Sequence, residues 1–153
     1  MPTVRRSRTL SATPDEIWAI VADAYHLPRW WPRVTRVEGV EGDAFTQVLT
    51  TAKGVPVRAD FRVVESAAPA VRRWEQQIVN TPFERILTEC AVEIRLDRAS
   101  EGEGEGEGVT RVAITLAQRL RGLGLLGGFM VRSAARKQLD GALDGLEALV
   151  RPG

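Results

Sequence analysis

A chain of 153 residues is the size of one ordinary domain with room for a hydrophobic core, and a single domain over residues 1–153 is expected. Its 21 Lys and Arg balance 20 Asp and Glu for a formal charge of +1, which leaves no net field to hold a phosphate backbone and argues against nucleic acid as a partner. The one cysteine, Cys90, excludes an internal disulfide, and with one histidine, His26, there is no Cys/His set spaced for zinc, so no metal is expected.

No stretch approaches the roughly 20 apolar residues of a membrane span. The segment from Met1 to Leu10 is arginine-rich, without an apolar run or a small-residue cleavage site, and a cytoplasmic protein is the expectation. Val4 to Ser11 is short and compatible with a strand. Thr13-Pro14-Asp15-Glu16 then places a capping hydroxyl before a proline at the first helical position, with two carboxylates at the positive end of the dipole. Ile17, Trp18, Ile20 and Val21 give that helix an apolar side, and Tyr25 to Pro32, with two prolines, predicts a compact turn or second short helix.

Strand-like runs follow, punctuated by turn residues: Val34 to Val40, Phe45 to Ala52, Val55 to Glu65, Val71 to Val79, Arg85 to Asp97 and Val109 to Leu120. Arg58, Asp60 and Arg62 alternate with Val57, Ala59, Phe61 and Val63, which puts the charges outside if the apolar set faces in. In the fifth run Ile86, Thr88, Cys90, Val92, Ile94 and Leu96 share one face, with Glu89, Glu93, Arg95 and Asp97 mainly on the other. That is the pattern of a sheet covered on one side. Residues 100–108, dominated by a Glu-Gly repeat, predict a flexible hairpin loop, because glycine maximises backbone entropy and the carboxylates repel. After Gly127-Gly128 the spacing of Phe129, Met130, Leu139, Ala142, Leu143, Leu146, Leu149 and Val150 predicts a helix of about six turns with one buried face. The fold class is therefore α+β: a short N-terminal helix pair and a curved antiparallel sheet wrapped around a long C-terminal helix.

Gly122-x-Gly124-x-x-Gly127 matches the dinucleotide fingerprint, but no later parallel strand exists to carry a ribose-binding acid. The glycines are better explained by a sharp strand-to-helix crossing, and no cofactor is expected. His26 stands in a turn with no nucleophile near it in sequence, and burial on an inward strand face would raise the Cys90 pKa and blunt its reactivity. The catalytic residues, if any exist, are not identifiable. Trp30 and Trp31, flanked by Pro28 and Pro32, predict one ring inward and one partly exposed, whereas Trp18 and Trp74 read as core.

The run Thr13-Pro14-Asp15-Glu16-Ile17-Trp18, followed by Tyr25-His26-Leu27-Pro28-Arg29-Trp30-Trp31-Pro32 and Val34 to Gly39, resembles the opening of the START-like (SRPBCC) superfamily, in particular its polyketide cyclase/dehydrase-like branch. The resemblance extends over nearly the whole chain; the Glu-Gly insertion departs from the family pattern. It implies a helix-grip fold around a deep apolar pocket that binds or transforms lipids, polyketides and other apolar compounds. Gln76, Thr88 and Gln118 are polar residues on faces predicted to point at the helix, where a buried amide or hydroxyl needs a partner, a water or a ligand. The expected lining of the pocket is Trp30, Trp31, Phe61, Trp74, Gln76, Thr88, Cys90, Gln118, Phe129 and Met130. Three functions fit: a binder of a small apolar molecule, a cyclase/dehydratase-like enzyme that steers its substrate by cavity shape, and a protein-interaction module using exposed aromatics such as Trp30 or Trp31.

Overall fold

Thr13 starts the first helix as a reciprocal cap. Its Oγ1 accepts from the Glu16 N–H at 3.1 Å while Glu16 Oε1 accepts from the Thr13 N–H, which satisfies two of the orphan donors of helix α1 (Pro14–Val21). The computed structural model describes residues 3–51, 53–99, 108–122 and 125–150, and the side chains of all of these except residues 125, 126, 128 and 129. Ahead of α1 lies strand β1 (Thr3–Leu10); after it come a 3₁₀ turn at Ala24–His26 and the short helix α2 (Leu27–Trp30). Six strands follow: β2 (Val34–Glu41), β3 (Ala44–Thr50), β4 (Pro56–Ala67), β5 (Val71–Gln76), β6 (Leu87–Arg98) and β7 (Thr110–Leu120). Helix α3 (Leu125–Val150) ends the described chain, and at 26 residues it is about 39 Å long.

The strands form one sheet in the order β1-β7-β6-β5-β4-β3-β2, and every neighbouring pair is antiparallel. Consecutive strands β2 to β7 are a meander of hairpins, and β1 closes the other edge beside β7. Gly42, at φ 59°, makes the tight turn between β2 and β3, and Gly122, at φ 68°, turns the chain out of β7 toward α3. The Glu-Gly repeat at 101–107 lies outside the described residues.

The sheet's concave face holds α1 and α3. Ile17 and Val21 from α1, and Leu139, Ala142, Leu143 and Leu146 from α3, join Trp74, Val92, Ile94, Ile114 and Leu116 of the sheet in one buried cluster. Two glycines let α3 come close to α2. A Cβ on Gly145 would lie 2.5 Å from the Trp30 carbonyl oxygen, and one on Gly141 would lie 2.9 Å from Pro32 Cγ. Arg6 and Arg8, on the inward-facing positions of edge strand β1, reach the flank of α3 and pair with Asp140 at 2.8 Å and Asp144 at 2.6 Å. Thr110 is wholly buried at the start of β7, and its hydroxyl donates to the Ala12 carbonyl at 2.6 Å.

Three expectations need correction. The strand expected from Arg85 starts at Leu87, because Pro82–Arg85 forms a 3₁₀ turn capped by Thr81, whose Oγ1 accepts from the Phe83 N–H. Between Leu87 and Glu89 the register against β7 shifts by one residue, so Thr88 is the extra residue of a β-bulge. Leu87 is buried, Thr88 and Ile86 are exposed, and the inward alternation resumes only at Cys90. Trp30 and Trp31 are both buried, at 3% and 4% exposure, where one was expected at the surface. The Trp31 ring packs edge to face between Trp30 and Trp74, and α3 closes on the Trp30 backbone at Gly145 and on Pro32 at Gly141. Arg58, Asp60 and Arg62 are exposed while Ala59, Phe61 and Val63 are buried, as their alternation predicts.

Candidate functional site

The inner wall of the sheet is organised in cross-strand rows. One runs from Phe45 of β3 to Phe61 of β4 and on to Gln76 of β5. The β5–β6 ladder is paired as far as Glu75–Ala91, Gln76 and Cys90 are the next residues along the two strands, and Cys90 is paired with Gln118 of β7. The row is thus aromatic at one end and polar at the other. Phe45 and Phe61 stack with centroids 5.5 Å apart, and Phe45 meets Trp74 edge to face at 6.2 Å. Trp31 stands edge to face with both Trp74 and Trp30. These five rings form the aromatic wall, held by the geometry that aromatic quadrupoles prefer.

Two hollows adjoin the polar end. The larger, about 1020 Å³, lies between α3 and the sheet edge, bounded by Gln118 and Leu120 of β7, by Val131, Ala134, Ala135 and Gln138 of α3, and by Pro32. Its rim carries the ion pair of Arg6 with Asp140, and Asp144 beside it. The smaller, about 290 Å³, is lined by Gln76, Ile78, Thr88 and Cys90. The cross-strand row therefore runs from one hollow toward the other.

Of the expected lining, Trp30, Trp31, Phe61 and Trp74 belong to the aromatic wall, while Gln76, Cys90 and Gln118 form the polar row. Thr88 reaches only the rim of the smaller hollow: being the bulged residue, it is exposed and its hydroxyl donates to the Arg119 carbonyl at 3.3 Å. Met130 lines neither of these hollows and is 64% exposed. The side chain of Phe129 lies outside the described residues. Gln47, buried at 3% exposure and paired with Ala59, is an inward amide that the sequence reading passed over. The alternation Phe45-Gln47-Leu49 carries its signal. Arg72 was missed in the same way, two residues before Trp74 on the same face. Its guanidinium donates to Ser66 Oγ at 3.1 Å, and desolvation lowers its pKa against the opposing pull of Asp43 and Asp23.

Burial pushes the Cys90 thiol up to about 11 from an ordinary 9.0, with a hydrogen bond from Gln118 acting in the opposite sense. At pH 8 the folded protein is therefore expected to react with a disulfide reagent such as 5,5′-dithiobis(2-nitrobenzoate) about a hundredfold more slowly than the urea-unfolded chain. Comparable rates would mean that the thiol is not buried. The folded state holds the proton more tightly than the unfolded chain, so this stabilisation is fully present below pH 9 and is lost as pH rises through about 11. His26 lies outside both linings, its ring 3.2 Å from the Arg29 guanidinium and 3.6 Å from Asp23. Among the described residues no three His, Cys, Asp or Glu side chains are grouped to hold a metal ion, and no helix is long and apolar enough to cross a membrane.

A family model described as polyketide cyclase / dehydrase and lipid transport matches residues 1–151. Among solved structures, a START superfamily protein from Mycobacterium smegmatis is similar, with TM-score 0.75 and 17% identity over 97% of this chain and 96% of that one. A conserved protein from Geobacillus kaustophilus superimposes with TM-score 0.74 and 14% identity over 95% and 93% of the two chains. The di-domain ARO/CYC protein BexL of the BE-7585A biosynthetic pathway gives TM-score 0.73 and 22% identity; 99% of this chain matches 48% of BexL. At these identities the likeness is one of fold. No curated protein matches the chain in sequence.

Proposed function

The chain belongs to the polyketide cyclase/dehydrase and lipid transport family, and from that premise we propose that it binds a small apolar molecule, a lipid, polyketide or aromatic metabolite, between α3 and the sheet. The observation that carries this reading is the hollow of about 1020 Å³ between α3 and β7, of the size that houses small ligands. Leu120, Val131, Ala134 and Ala135 give such a guest apolar surface, Gln118 and Gln138 supply amides, and Arg6, Arg33, Arg136, Lys137, Asp140 and Asp144 put charge around it.

A cyclase or dehydratase is the second reading, favoured by the ARO/CYC description of BexL. That chemistry needs a proton donor or acceptor facing the guest. Asp140 at the rim is engaged by Arg6, Asp144 by Arg8, and Cys90 is held as a neutral thiol, so binding is the simpler assignment. An interaction module built on exposed Trp30 or Trp31 loses its support, since both rings are buried.

The neutral fluorophore N-phenyl-1-naphthylamine tests the binding assignment. It is expected to show saturable, one-to-one fluorescence enhancement, and Ala134→Trp, which fills the hollow from α3, should weaken it at least tenfold without lowering the melting temperature. Unchanged affinity in that variant, or enhancement that never saturates, contradicts the assignment.

A further inference from the structure

The charges around the larger hollow do not cancel. Its lining carries two carboxylates, Asp140 and Asp144, and both are already engaged. The Arg6 guanidinium grips Asp140 with two hydrogen bonds, Nε at 2.8 Å and Nη2 at 3.2 Å, and Arg8 holds Asp144 at 2.6 Å. Arg33, Arg136 and Lys137 also line the hollow, and among the described residues none of the three has a carboxylate partner. Two features set Arg33 and Lys137 apart from ordinary solvated surface charge. They converge from different elements: Lys137 stands one helical turn before Gly141, where α3 abuts Pro32, and Arg33 is the next residue after Pro32, so both line the hollow beside that contact. Arg33 also holds an unusual backbone, φ 68°, a left-handed conformation that glycine and asparagine adopt with less strain. Strained positions of this kind gather at ligand clamps. Among the described residues its side chain has one hydrogen bond, to the Thr50 carbonyl at 3.5 Å, which leaves most of the guanidinium fork for a ligand.

We propose that the guest of the larger hollow is an amphipathic carboxylate, its apolar body against Leu120, Val131 and Ala134 and its head held by Arg33 and Lys137. This rests on the binding function proposed above and adds a chemical requirement to it. A guanidinium meets a carboxylate with two parallel N–H groups, and an ammonium beside it adds a point charge. Because Asp140 and Asp144 are already paired, an entering carboxylate meets unmatched positive charge and displaces no ion pair. A neutral guest with the same apolar body gains nothing from either cation.

The test uses decanoate and 1-decanol, which share one straight alkyl chain and differ in the head group, each titrated at pH 8 against bound N-phenyl-1-naphthylamine. The readout is the ratio of decanoate affinity to decanol affinity, from which any change in the apolar part of the hollow cancels. Replacing both cations, in Arg33→Gln/Lys137→Gln, is expected to lower that ratio about tenfold. Arg132→Gln, at an exposed position of α3 outside the lining, removes a charge of the same sign and should move the ratio by less than about twofold, because solvent screens it. An unchanged ratio in the double variant overturns the carboxylate assignment and leaves apolar binding standing. A comparable fall in Arg132→Gln overturns it too, since the preference would then come from the field of the whole protein. If N-phenyl-1-naphthylamine itself does not bind the wild-type protein, the binding function fails and this inference falls with it.

Discussion

Truncating Trp74 to alanine is expected to destabilise the protein by about 3–5 kcal/mol, a large part of the 5–15 kcal/mol that holds a typical domain folded. The indole is 2% exposed, sits at the middle of the sheet's inner wall opposite Val63 and Val92, and contacts both Trp31 and Phe45. Its removal deletes the surface on which the other aromatic rings are arranged, and the strands on either side are fixed by their ladders and cannot collapse into the gap. Trp74→Phe keeps a ring in place and is expected to lose distinctly less. Urea titrations monitored by far-UV circular dichroism measure both; a loss below about 1 kcal/mol for the alanine variant would show that the ring is not packed as described.

The second large effect concerns the approach of α3 to α2. In an exposed helix, replacing glycine with alanine stabilises by about 1 kcal/mol. At Gly145 the added methyl would lie 2.5 Å from the Trp30 carbonyl oxygen and 2.7 Å from its Cα, and backbone cannot rotate away. Overpacking of this sort reaches about 3 kcal/mol, so the clash wins and Gly145→Ala should be destabilising by about 2 kcal/mol net. Gly141→Ala is the internal control. There the nearest atom is the Pro32 ring at 2.9 Å, which can shift, and the helix gain offsets most of the strain. If both variants prove equally stabilising, α2 is not seated against α3 and the burial of Trp30 and Trp31 has another origin.

Much of this architecture is legible in the sequence because it rests on strong local chemistry. Thr13-Pro14 starts a helix for reasons of capping and φ alone. The alternation of Arg58, Asp60 and Arg62 with Ala59, Phe61 and Val63 fixes which side of β4 is wet. The site is harder to read because it depends on relations between elements. Nothing in Ile86-Leu87-Thr88 reports that one residue will be extruded as a bulge, since the bulge exists only relative to the register of β7, and that single slip turned Thr88 from an inward to a rim position. The two tryptophans at 30 and 31 look alike in sequence. That both are covered depends on partners far along the chain, the Trp74 ring that meets Trp31 and the glycines of α3 that admit it to the α2 backbone. Met130 falls at an apolar spacing yet points outward, because the buried stripe of α3 is carried by Ala135, Leu139, Ala142, Leu143 and Leu146. Gln47 and Arg72 were readable from alternation alone, as Gln76 and Gln118 were. That Gln76 Nε2 is buried without a partner among the described residues was not, because it depends on what each of its neighbours does with its own hydrogen bonds.

The most direct test of a ligand site between α3 and the sheet is native mass spectrometry of the protein as purified and after incubation with N-phenyl-1-naphthylamine, followed by organic extraction of whatever remains bound. A one-to-one adduct, either a co-purified apolar compound or the added fluorophore, is the expected result, and its loss in Ala134→Trp would place it in the hollow. A spectrum showing only the bare chain mass in both samples would contradict the account.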